Sequence, residues 1–200
     1  MKLGIFGGTF DPVHHGHLIV AEYVRETVGL DRILFIPTMI SPHKQDADIT
    51  AAIDRFAMLR EAVGANPFFE ASDLEIERGG VSYTVDTLRI LMESHRPADL
   101  YLLIGADNLR DFGSWKDPEE IVKRARLIVM NRPGFTAGEA DRPLPEDAIQ
   151  CVVPSIDISA TEIRRRVEQG LPISYLVPLS VERYIAQHRL YRERSEGRAP

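Results

Sequence analysis

Cysteine is nearly absent from the sequence, since Cys151 is the single one among 200 residues. One cysteine excludes an intrachain disulfide and a zinc site built on several thiolates, and it is typical of proteins in a reducing compartment. Long apolar runs are also missing, and no stretch approaches the roughly 20 residues that a membrane-spanning helix needs. Only Lys2 separates the initial Met from the first strand pattern, which predicts no signal peptide. We therefore expect a soluble, cytoplasmic protein.

Basic residues are fewer than acidic ones: 24 Lys and Arg stand against 30 Asp and Glu, for a formal net charge of −6. Because affinity for a polyanion depends on clustered Lys and Arg, this balance disfavours a nucleic-acid binder or a membrane-surface protein. The hydrophobic content of 44% is ordinary for a globular protein. We expect a single domain over residues 1–190 and a polar, frayed tail over residues 191–200.

Short apolar segments alternate with helical patterns along the chain. Predicted strands lie at residues 2–6, 32–37, 68–72, 100–104, 126–131 and 150–154. They lack the period-2 alternation of a half-exposed strand, as expected for strands buried on both faces. Predicted helices lie at residues 17–28, 50–63, 84–94, 159–169 and 180–188, and another begins at Pro118. This order predicts an α/β fold, a Rossmann-like doubly wound parallel sheet with helices on both faces.

Two of the helix predictions extend to individual side chains. The helix at residues 50–63 is expected to bury an apolar face that includes Ile53, Phe56 and Leu59. Thr84 is expected to be the N-cap of its helix, and Asp117 the N-cap of the helix that follows it.

The stretch from Gly7 to His17 follows the first predicted strand and runs Gly-Gly-Thr-Phe-Asp-Pro-Val-His-His-Gly-His. It contains neither Gly-x-Gly-x-x-Gly nor Gly-Lys-Ser/Thr, which disfavours a hydride-transfer enzyme and a P-loop NTPase. A glycine-rich turn before a helix start favours phosphate binding, and Gly16 allows a close approach to the backbone. His14 and His17 are suited to donate hydrogen bonds to charge that develops during phosphoryl or nucleotidyl transfer. The alternative is a capped helix start or an adventitious metal site.

A second motif, Ile-Ser-Ala-Thr-Glu-Ile-Arg, occupies residues 158–164. Ser159, Thr161 and a helix N-terminus are suited to hold a triphosphate, and Arg164 adds a charge that binds phosphate through two donors. The alternative is a capping box between Ser159 and Glu162. The capping role and the phosphate role are compatible.

Together, the two motifs resemble those of the nucleotidylyltransferase superfamily, and the Gly-Gly-Thr-Phe-Asp-Pro stretch resembles the bacterial nicotinate-nucleotide adenylyltransferases in particular. Three further segments are similar to that family: Pro-His-Lys at residues 42–44, Ser-Tyr-Thr-Val-Asp-Thr-Leu at residues 82–88, and Ile-Gly-Ala-Asp-Asn at residues 104–108 followed by Trp115 and Lys116. The likeness spans residues 3–164. One departure is Ala160, where many members carry a second serine, but the hydroxyls of Ser159 and Thr161 remain.

This resemblance implies a reaction of NAD biosynthesis, in which ATP and nicotinate mononucleotide give deamido-NAD (nicotinate adenine dinucleotide) and pyrophosphate. The mononucleotide phosphate has a second pKa of ~6, so it is largely deprotonated at pH 7 and needs no protein nucleophile or general base. Mg²⁺ is expected on the ATP phosphates, without a dedicated set of protein ligands. The expected partners are these two nucleotides, with neither nucleic acid nor membrane, and a homo-oligomer stays open.

The resemblance also implies roles for individual residues. A catalytic role on the phosphates falls to His14, His17, Lys44 and Arg164. Further contacts to ATP are expected from Gly7, Gly8, Thr9, Phe10, Gly16, Ser159, Thr161 and Arg132. Contacts to nicotinate mononucleotide are expected from Tyr83, Thr84, Asp107 and Trp115.

Within the mononucleotide site, Asp107 would accept hydrogen bonds from a ribose. Trp115 and Tyr83 would stack on the nicotinate ring, and Thr84 with nearby backbone N–H groups would bind its carboxylate. The alternatives are a helix cap for Asp107 and a core anchor for Trp115.

Other functions stay open at this point. A pantetheine-phosphate adenylyltransferase resembles this chain at the first and last motifs only, and it usually carries Thr at the position of His14. An enzyme that accepts nicotinamide mononucleotide differs in a few loop donors that the sequence does not place. A non-catalytic nucleotide sensor of the same fold would lack His14, His17 or Arg164. A class I aminoacyl-tRNA synthetase fragment would be longer, and it would have clustered Lys and Arg residues that bind tRNA.

Overall fold

The structure, a computed structural model, describes residues 1–42, 49–94, 98–131 and 145–192. Its elements, in chain order, are β1 (Lys2–Gly8), α1 (His15–Val28), β2 (Arg32–Pro37), α2 (Ala52–Val63), β3 (Phe69–Ala71), α3 (Leu74–Arg78), α4 (Thr84–Ser94), β4 (Asp99–Gly105), α5 (Ala106–Asp111), a 3₁₀ turn (Phe112–Ser114), α6 (Pro118–Arg124), β5 (Arg126–Asn131), β6 (Ile149–Val152), α7 (Ala160–Glu168) and α8 (Leu179–His188). Along these ranges, no helix is both long enough and apolar enough to cross a membrane.

The strands of the described chain form one parallel sheet in the order β3-β2-β1-β4-β5-β6. The chain winds outward from β1 in one direction and from β4 in the other. Between these two strands the connections leave toward opposite faces, so a crevice forms at their carboxyl ends. The predicted doubly wound α/β fold is confirmed.

The strands are buried on both faces. In β2, Ile33 and Phe35 belong to the core on the side of α1, α2, α7 and α8. Leu34 and Ile36 belong to the core on the side of α4 and α6. Because both sets of alternating side chains are buried, the strand appears in the sequence as a continuous apolar run.

The predicted strands and helices lie within two residues of the observed bounds. Two short helices, α3 and α5, were not predicted. They contain five and six residues, which is too short to display a helical period of apolar side chains.

Two local predictions are wrong. Ile53 in α2 is 63% exposed, whereas Arg55 is buried, because the helix is turned so that the guanidinium reaches backbone carbonyl groups below it. Thr84 is not the N-cap of α4, since the helix begins at Thr84 and the carbonyl of Tyr83 accepts the first helical N–H. Asp117 is the N-cap of α6, as predicted, but its backbone is left-handed (φ 50°) and its side chain makes no cap hydrogen bond.

The chain end is described as far as Arg192, and residues 193–200 of the predicted tail lie outside the described residues. Tyr191 packs against the core on the side of α8. Its hydroxyl donates a hydrogen bond to Asp11 Oδ1 at 2.7 Å. The first tail residue is therefore in contact with the turn that follows β1.

Candidate active site

A cleft of about 1110 Å³ opens at the carboxyl ends of β1 and β4, where the winding of the sheet reverses. Its lining includes the following residues that the sequence singles out: Gly7, Gly8, Thr9, Phe10, His14, Gly16, His17, Tyr83, Thr84, Trp115, Ser159, Thr161 and Arg164. Lys44, Arg132 and the side chain of Asp107 lie outside the described residues. The fold thus brings together motifs that are more than 150 positions apart in the chain.

The turn after β1 is shaped by Phe10, whose backbone lies in the left-handed region (φ 48°) although it is not a glycine. Its ring is buried and meets Phe6 and His17 edge to face, at centroid distances of 5.7 and 5.1 Å. A Cβ atom on Gly8 would lie 3.1 Å from the tip of this ring, so glycine leaves the space that the ring occupies. The packed aromatic ring compensates the strained backbone and fixes the course of the turn.

His14 and His17 stack on each other at the start of α1, with ring centroids 3.7 Å apart. The backbone N–H of His14 donates to Nδ1 of His17 at 3.3 Å. Because Nδ1 accepts, the neutral His17 ring carries its proton on Nε2 and has that N–H available for donation. A Cβ atom on Gly16 would lie 3.0 Å from Nδ1 of His14, so glycine also makes room for the first imidazole.

Both imidazoles are neutral at physiological pH. Burial, with a smaller effect from the neighbouring His15, lowers the pKa of His14 from 6.5 to about 4. Burial, with a smaller effect from His14, lowers the pKa of His17 from 6.5 to about 3. A stacked pair of imidazolium rings would repel, whereas neutral rings remain hydrogen-bond donors without that cost.

The start of α7 forms the opposite side of the phosphate half of the cleft. Ser159 is the N-cap, and its hydroxyl accepts the backbone N–H of Glu162 at 3.1 Å. Glu162 pairs with Arg165 at 2.7 Å, so its carboxylate points along the helix surface. Arg164 donates from Nη1 to the Asp11 carbonyl at 2.7 Å, which ties α7 to the turn after β1.

Arg55 holds backbone segments next to the cleft, and no pattern in the sequence indicates this role. Its side chain is fully buried, and its guanidinium donates to the carbonyls of Thr9 at 2.7 Å, Thr38 at 2.6 Å and Thr50 at 2.9 Å. Burial lowers the pKa of the guanidinium, and the nearby Asp11 carboxylate opposes that shift. One cation therefore joins the segments that follow β1 and β2 to the segment that precedes α2.

Glu75 is a second residue that the sequence analysis missed, and it lies on the ring half of the cleft. Its carboxylate is buried, and Oε1 accepts the hydroxyl of Thr87 at 2.5 Å. Burial raises the pKa of Glu75, and hydrogen bonds from Thr87 and Ser82 oppose that shift. Ser82 in turn accepts the backbone N–H of Met39 at 2.9 Å. These contacts fix the segment that leads into Tyr83 and Thr84.

Trp115 both packs and lines the cleft. Its ring lies 5.3 Å from that of Phe112 and belongs to the edge of the core beside α4 and α6. Nearby, the ammonium of Lys116 lies 4.6 Å from the centroid of the Tyr83 ring and 2.9 Å from Asp86 Oδ2. The ring half of the cleft thus combines two aromatic surfaces with a positive charge.

No sequence signal marks either of the missed residues. Arg55 sits in an amphipathic helix, where an arginine is ordinarily on the solvent side. Glu75 lies in a five-residue helix between two loops, where a carboxylate is expected to be exposed. The role of Arg55 depends on backbone carbonyls of distant segments, and that of Glu75 on the hydroxyls of Thr87 and Ser82, and only the folded structure places these partners.

The described part of the chain holds no group of three His, Cys, Asp or Glu side chains that could bind a metal ion. The donors among the described lining residues include imidazoles, hydroxyls, the guanidinium groups of Arg110 and Arg164 and the ammonium of Lys116, together with the N-termini of α1, α4 and α7. Such a set suits an anionic ligand with several phosphate oxygens and an aromatic ring.

Comparison with known proteins agrees with this arrangement. The model of the family described as Cytidylyltransferase-like matches residues 5–166. A protein of Salinibacter ruber named "Probable nicotinate-nucleotide adenylyltransferase" is 44% identical over 192 residues, which cover 96% of this chain and 98% of that protein. A protein of Thermomicrobium roseum with the same name is 47% identical over 196 residues, which cover 96% and 92%.

Solved structures share the fold. The nicotinic acid mononucleotide adenylyltransferase of Plasmodium falciparum complexed with NaAD has a TM-score of 0.76 at 22% identity, covering 95% of this chain and 97% of that one. The same enzyme complexed with APC has a TM-score of 0.74 at 21% identity, with coverages of 95% and 96%. At this identity the likeness establishes the architecture only.

The lowered pKa values of His14 and His17 predict a loss of stability on mild acidification. The unfolded chain takes up protons near pH 6.5, whereas the folded protein resists protonation down to about pH 4 at His14 and about pH 3 at His17. Below pH 6.5 the unfolded state therefore binds more protons, and the free energy of unfolding falls by up to about 1.4 kcal/mol per pH unit for each histidine. Urea unfolding at pH 7, 6 and 5 measures this slope.

The matched control is His17→Asn, whose side-chain oxygen can still accept the His14 backbone N–H. Its slope between pH 6.5 and 5 should be smaller than that of the unmodified protein by about 1 kcal/mol per pH unit, since the unfolded histidine is half protonated at pH 6.5 and nearly fully protonated at pH 5. Identical slopes would contradict the neutral, buried state of His17.

The contacts of Arg55 predict a large loss of stability for Arg55→Met. The substitution removes the donors to several buried carbonyls, which should cost about 3–5 kcal/mol in free energy of unfolding. Arg60→Met on the exposed face of the same helix is the control and should change stability by less than about 0.5 kcal/mol. Equal stabilities of the two variants in urea unfolding would refute the central role of Arg55.

Proposed function

Because the chain belongs to the cytidylyltransferase-like family, among the nicotinate-nucleotide adenylyltransferases, we propose that it transfers AMP from ATP to nicotinate mononucleotide. The products are nicotinate adenine dinucleotide and pyrophosphate. One observation carries the proposal: a single cleft at the switch point of the sheet combines the two neutral histidines, the start of α7 and the aromatic segment at Tyr83 and Trp115. The histidines and the start of α7 suit a triphosphate, and the aromatic segment suits a pyridine ring.

The reaction needs positioning rather than a protein nucleophile. An oxygen of the mononucleotide phosphate attacks the α-phosphorus of ATP in line, the new P–O bond forms, and the bond from that phosphorus to the bridging oxygen breaks as pyrophosphate leaves. The attacking phosphate has a second pKa of ~6 and is already largely ionised at pH 7. The task left to the chain is to hold two anions together and to stabilise the charge that develops.

The phosphate half of the cleft supplies that stabilisation. The Nε2–H of His17 and the ring of His14 face the cleft as neutral donors, and Arg164 contributes a fixed positive charge. Lys44 and Arg132 are proposed to add charge from the segments that carry them. Mg²⁺ on the ATP phosphates would neutralise further charge, and the donor-rich lining fits a metal that keeps phosphate oxygens and water as ligands.

The ring half of the cleft favours the acid over the amide. Helix α4 begins at Thr84, and the positive end of its dipole attracts a carboxylate. The ammonium of Lys116 lies over the face of Tyr83 on the same side. Trp115 offers a surface for stacking, and Asp107 is proposed to bind a ribose hydroxyl. The ammonium is paired with Asp86 at 2.9 Å, so the preference is argued from the helix end: a carboxylate gains more there than a neutral carboxamide.

The first test is pyrophosphate release by the purified protein with MgATP and either nicotinate or nicotinamide mononucleotide. Release with the acid should exceed release with the amide at least about tenfold, since one charge-assisted hydrogen bond is worth about 1.5–3 kcal/mol. Equal rates would retain the class of reaction and refute the carboxylate site at Thr84. No release with either mononucleotide would refute the proposed function.

The second test is His17→Ala, which removes one donor to the developing charge. We expect kcat to fall by about 10²–10³-fold, the usual loss for one such donor. His15→Ala is the matched control, because His15 is the neighbouring imidazole and is not among the residues that line the cleft. Near-normal turnover of a folded His17→Ala protein would exclude His17 from catalysis.

A further inference from the structure

Asp11 joins three distant parts of the chain at the turn below the cleft. Its side chain is buried, with 4% exposed. Oδ1 accepts the hydroxyl of Tyr191 at 2.7 Å, and Oδ2 accepts the backbone N–H of Thr50 at 3.2 Å. Its carbonyl accepts Nη1 of Arg164 at 2.7 Å. The carboxylate of Asp11 is therefore held by Tyr191 and Thr50, and its backbone carbonyl is held by Arg164, which lines the cleft.

Tyr191 reaches Asp11 from behind the turn and is not among the residues that line the cleft. Its backbone lies in the left-handed region (φ 61°), which costs free energy for a tyrosine and has to be compensated by contacts of its side chain. Burial and the Asp11 carboxylate raise the pKa of Tyr191 well above its ordinary value, so the hydroxyl stays protonated and donates at every working pH. The hydroxyl is therefore protonated where it meets Asp11 in the folded protein.

We propose that Tyr191 is a positioning residue for ATP, which acts through Asp11 on the turn after β1 and on Arg164. The proposal rests on the function proposed above, in which that turn and Arg164 hold the triphosphate. Without the tyrosine hydroxyl, the buried Asp11 carboxylate loses one of the two hydrogen bonds that it accepts from described residues, and the turn shifts to recover it. The Asp11 carbonyl moves with the turn, and Arg164 loses its fixed orientation.

The mononucleotide half of the cleft should not respond. Tyr83 and Thr84 are fixed by Glu75, Ser82 and Thr87, and none of these contacts involves Asp11 or Tyr191. A loss confined to ATP therefore distinguishes positioning through Asp11 from a general loosening of the fold.

The chain contains a matched control for this bond. Tyr184 in α8 donates its hydroxyl to Asp54 Oδ1 in α2 at 2.9 Å, and neither residue lines the cleft. Tyr184→Phe removes the same kind of tyrosine–aspartate hydrogen bond a few residues earlier in the chain. This variant measures what such a hydrogen bond contributes to stability and to ligand binding when the bond only joins two helices.

The experiment measures the Kd of MgATP by calorimetry, the KM of nicotinate mononucleotide, and the melting temperature for the unmodified protein, Tyr191→Phe and Tyr184→Phe. We expect Tyr191→Phe to weaken MgATP binding about three- to tenfold, the equivalent of one hydrogen bond, and to leave the KM of the mononucleotide within about twofold. Tyr184→Phe should leave both values within about twofold.

The outcomes separate the two proposals. If the unmodified protein binds MgATP without turnover, the proposed function fails while the comparison of ATP affinities still tests Tyr191. Unchanged ATP affinity in Tyr191→Phe, an equal effect in Tyr184→Phe, or an equal loss for both nucleotides would overturn the positioning role. A Tyr191→Phe protein that does not fold would show a purely structural role, and an unmodified protein that does not bind MgATP would refute both proposals.

Discussion

The guanidinium of Arg55 fixes the backbone segments that lie beneath the cleft. It donates to the carbonyl of Thr9 in the connection between β1 and α1, and to those of Thr38 and Thr50 at the two ends of the connection between β2 and α2. In a trans peptide the C=O and the following N–H point in opposite directions. Each carbonyl that turns inward to Arg55 therefore turns the next N–H away from it. A buried cation in this place thus orients backbone donors of loops that have no regular structure of their own.

A buried guanidinium is costly unless charge and hydrogen bonds compensate it. Here the compensation is distributed: backbone carbonyls bind the donors, and the nearby Asp11 supplies the opposite charge. Asp11 is itself satisfied by Thr50 and Tyr191. The imidazoles above this layer stay neutral because they are buried. Beside the turn after β1, Arg164 is a cation among the described lining residues, so an incoming polyphosphate meets a positive charge and several neutral donors there.

The sequence predicts the parts of this architecture that depend on local pattern. Strands such as β2 are buried on both faces and appear as apolar runs, and the turn from Gly7 to His17 is a continuous motif. The layer below the cleft follows no such pattern. Arg55 lies in a helix whose apolar period suggested that Ile53 was inside, and Tyr191 follows the last helix in a polar context. Apart from the Thr50 carbonyl, their partners are backbone and carboxylate groups more than 15 positions away, so their roles emerge only from the fold.

The two halves of the cleft are held by different means, and this separation has a functional consequence. The phosphate half depends on a charged network that includes Arg55 and Asp11. The ring half depends on Glu75, on hydroxyl groups such as that of Thr87, and on the packing of Trp115. The two sets of described contacts meet at Met39, whose backbone N–H donates to the hydroxyl of Ser82 at 2.9 Å and whose carbonyl accepts Nη2 of Arg55 at 3.4 Å. Under the proposed function, a change around α3 or α4 that leaves Met39 in place would therefore alter the binding of the ring rather than that of the triphosphate.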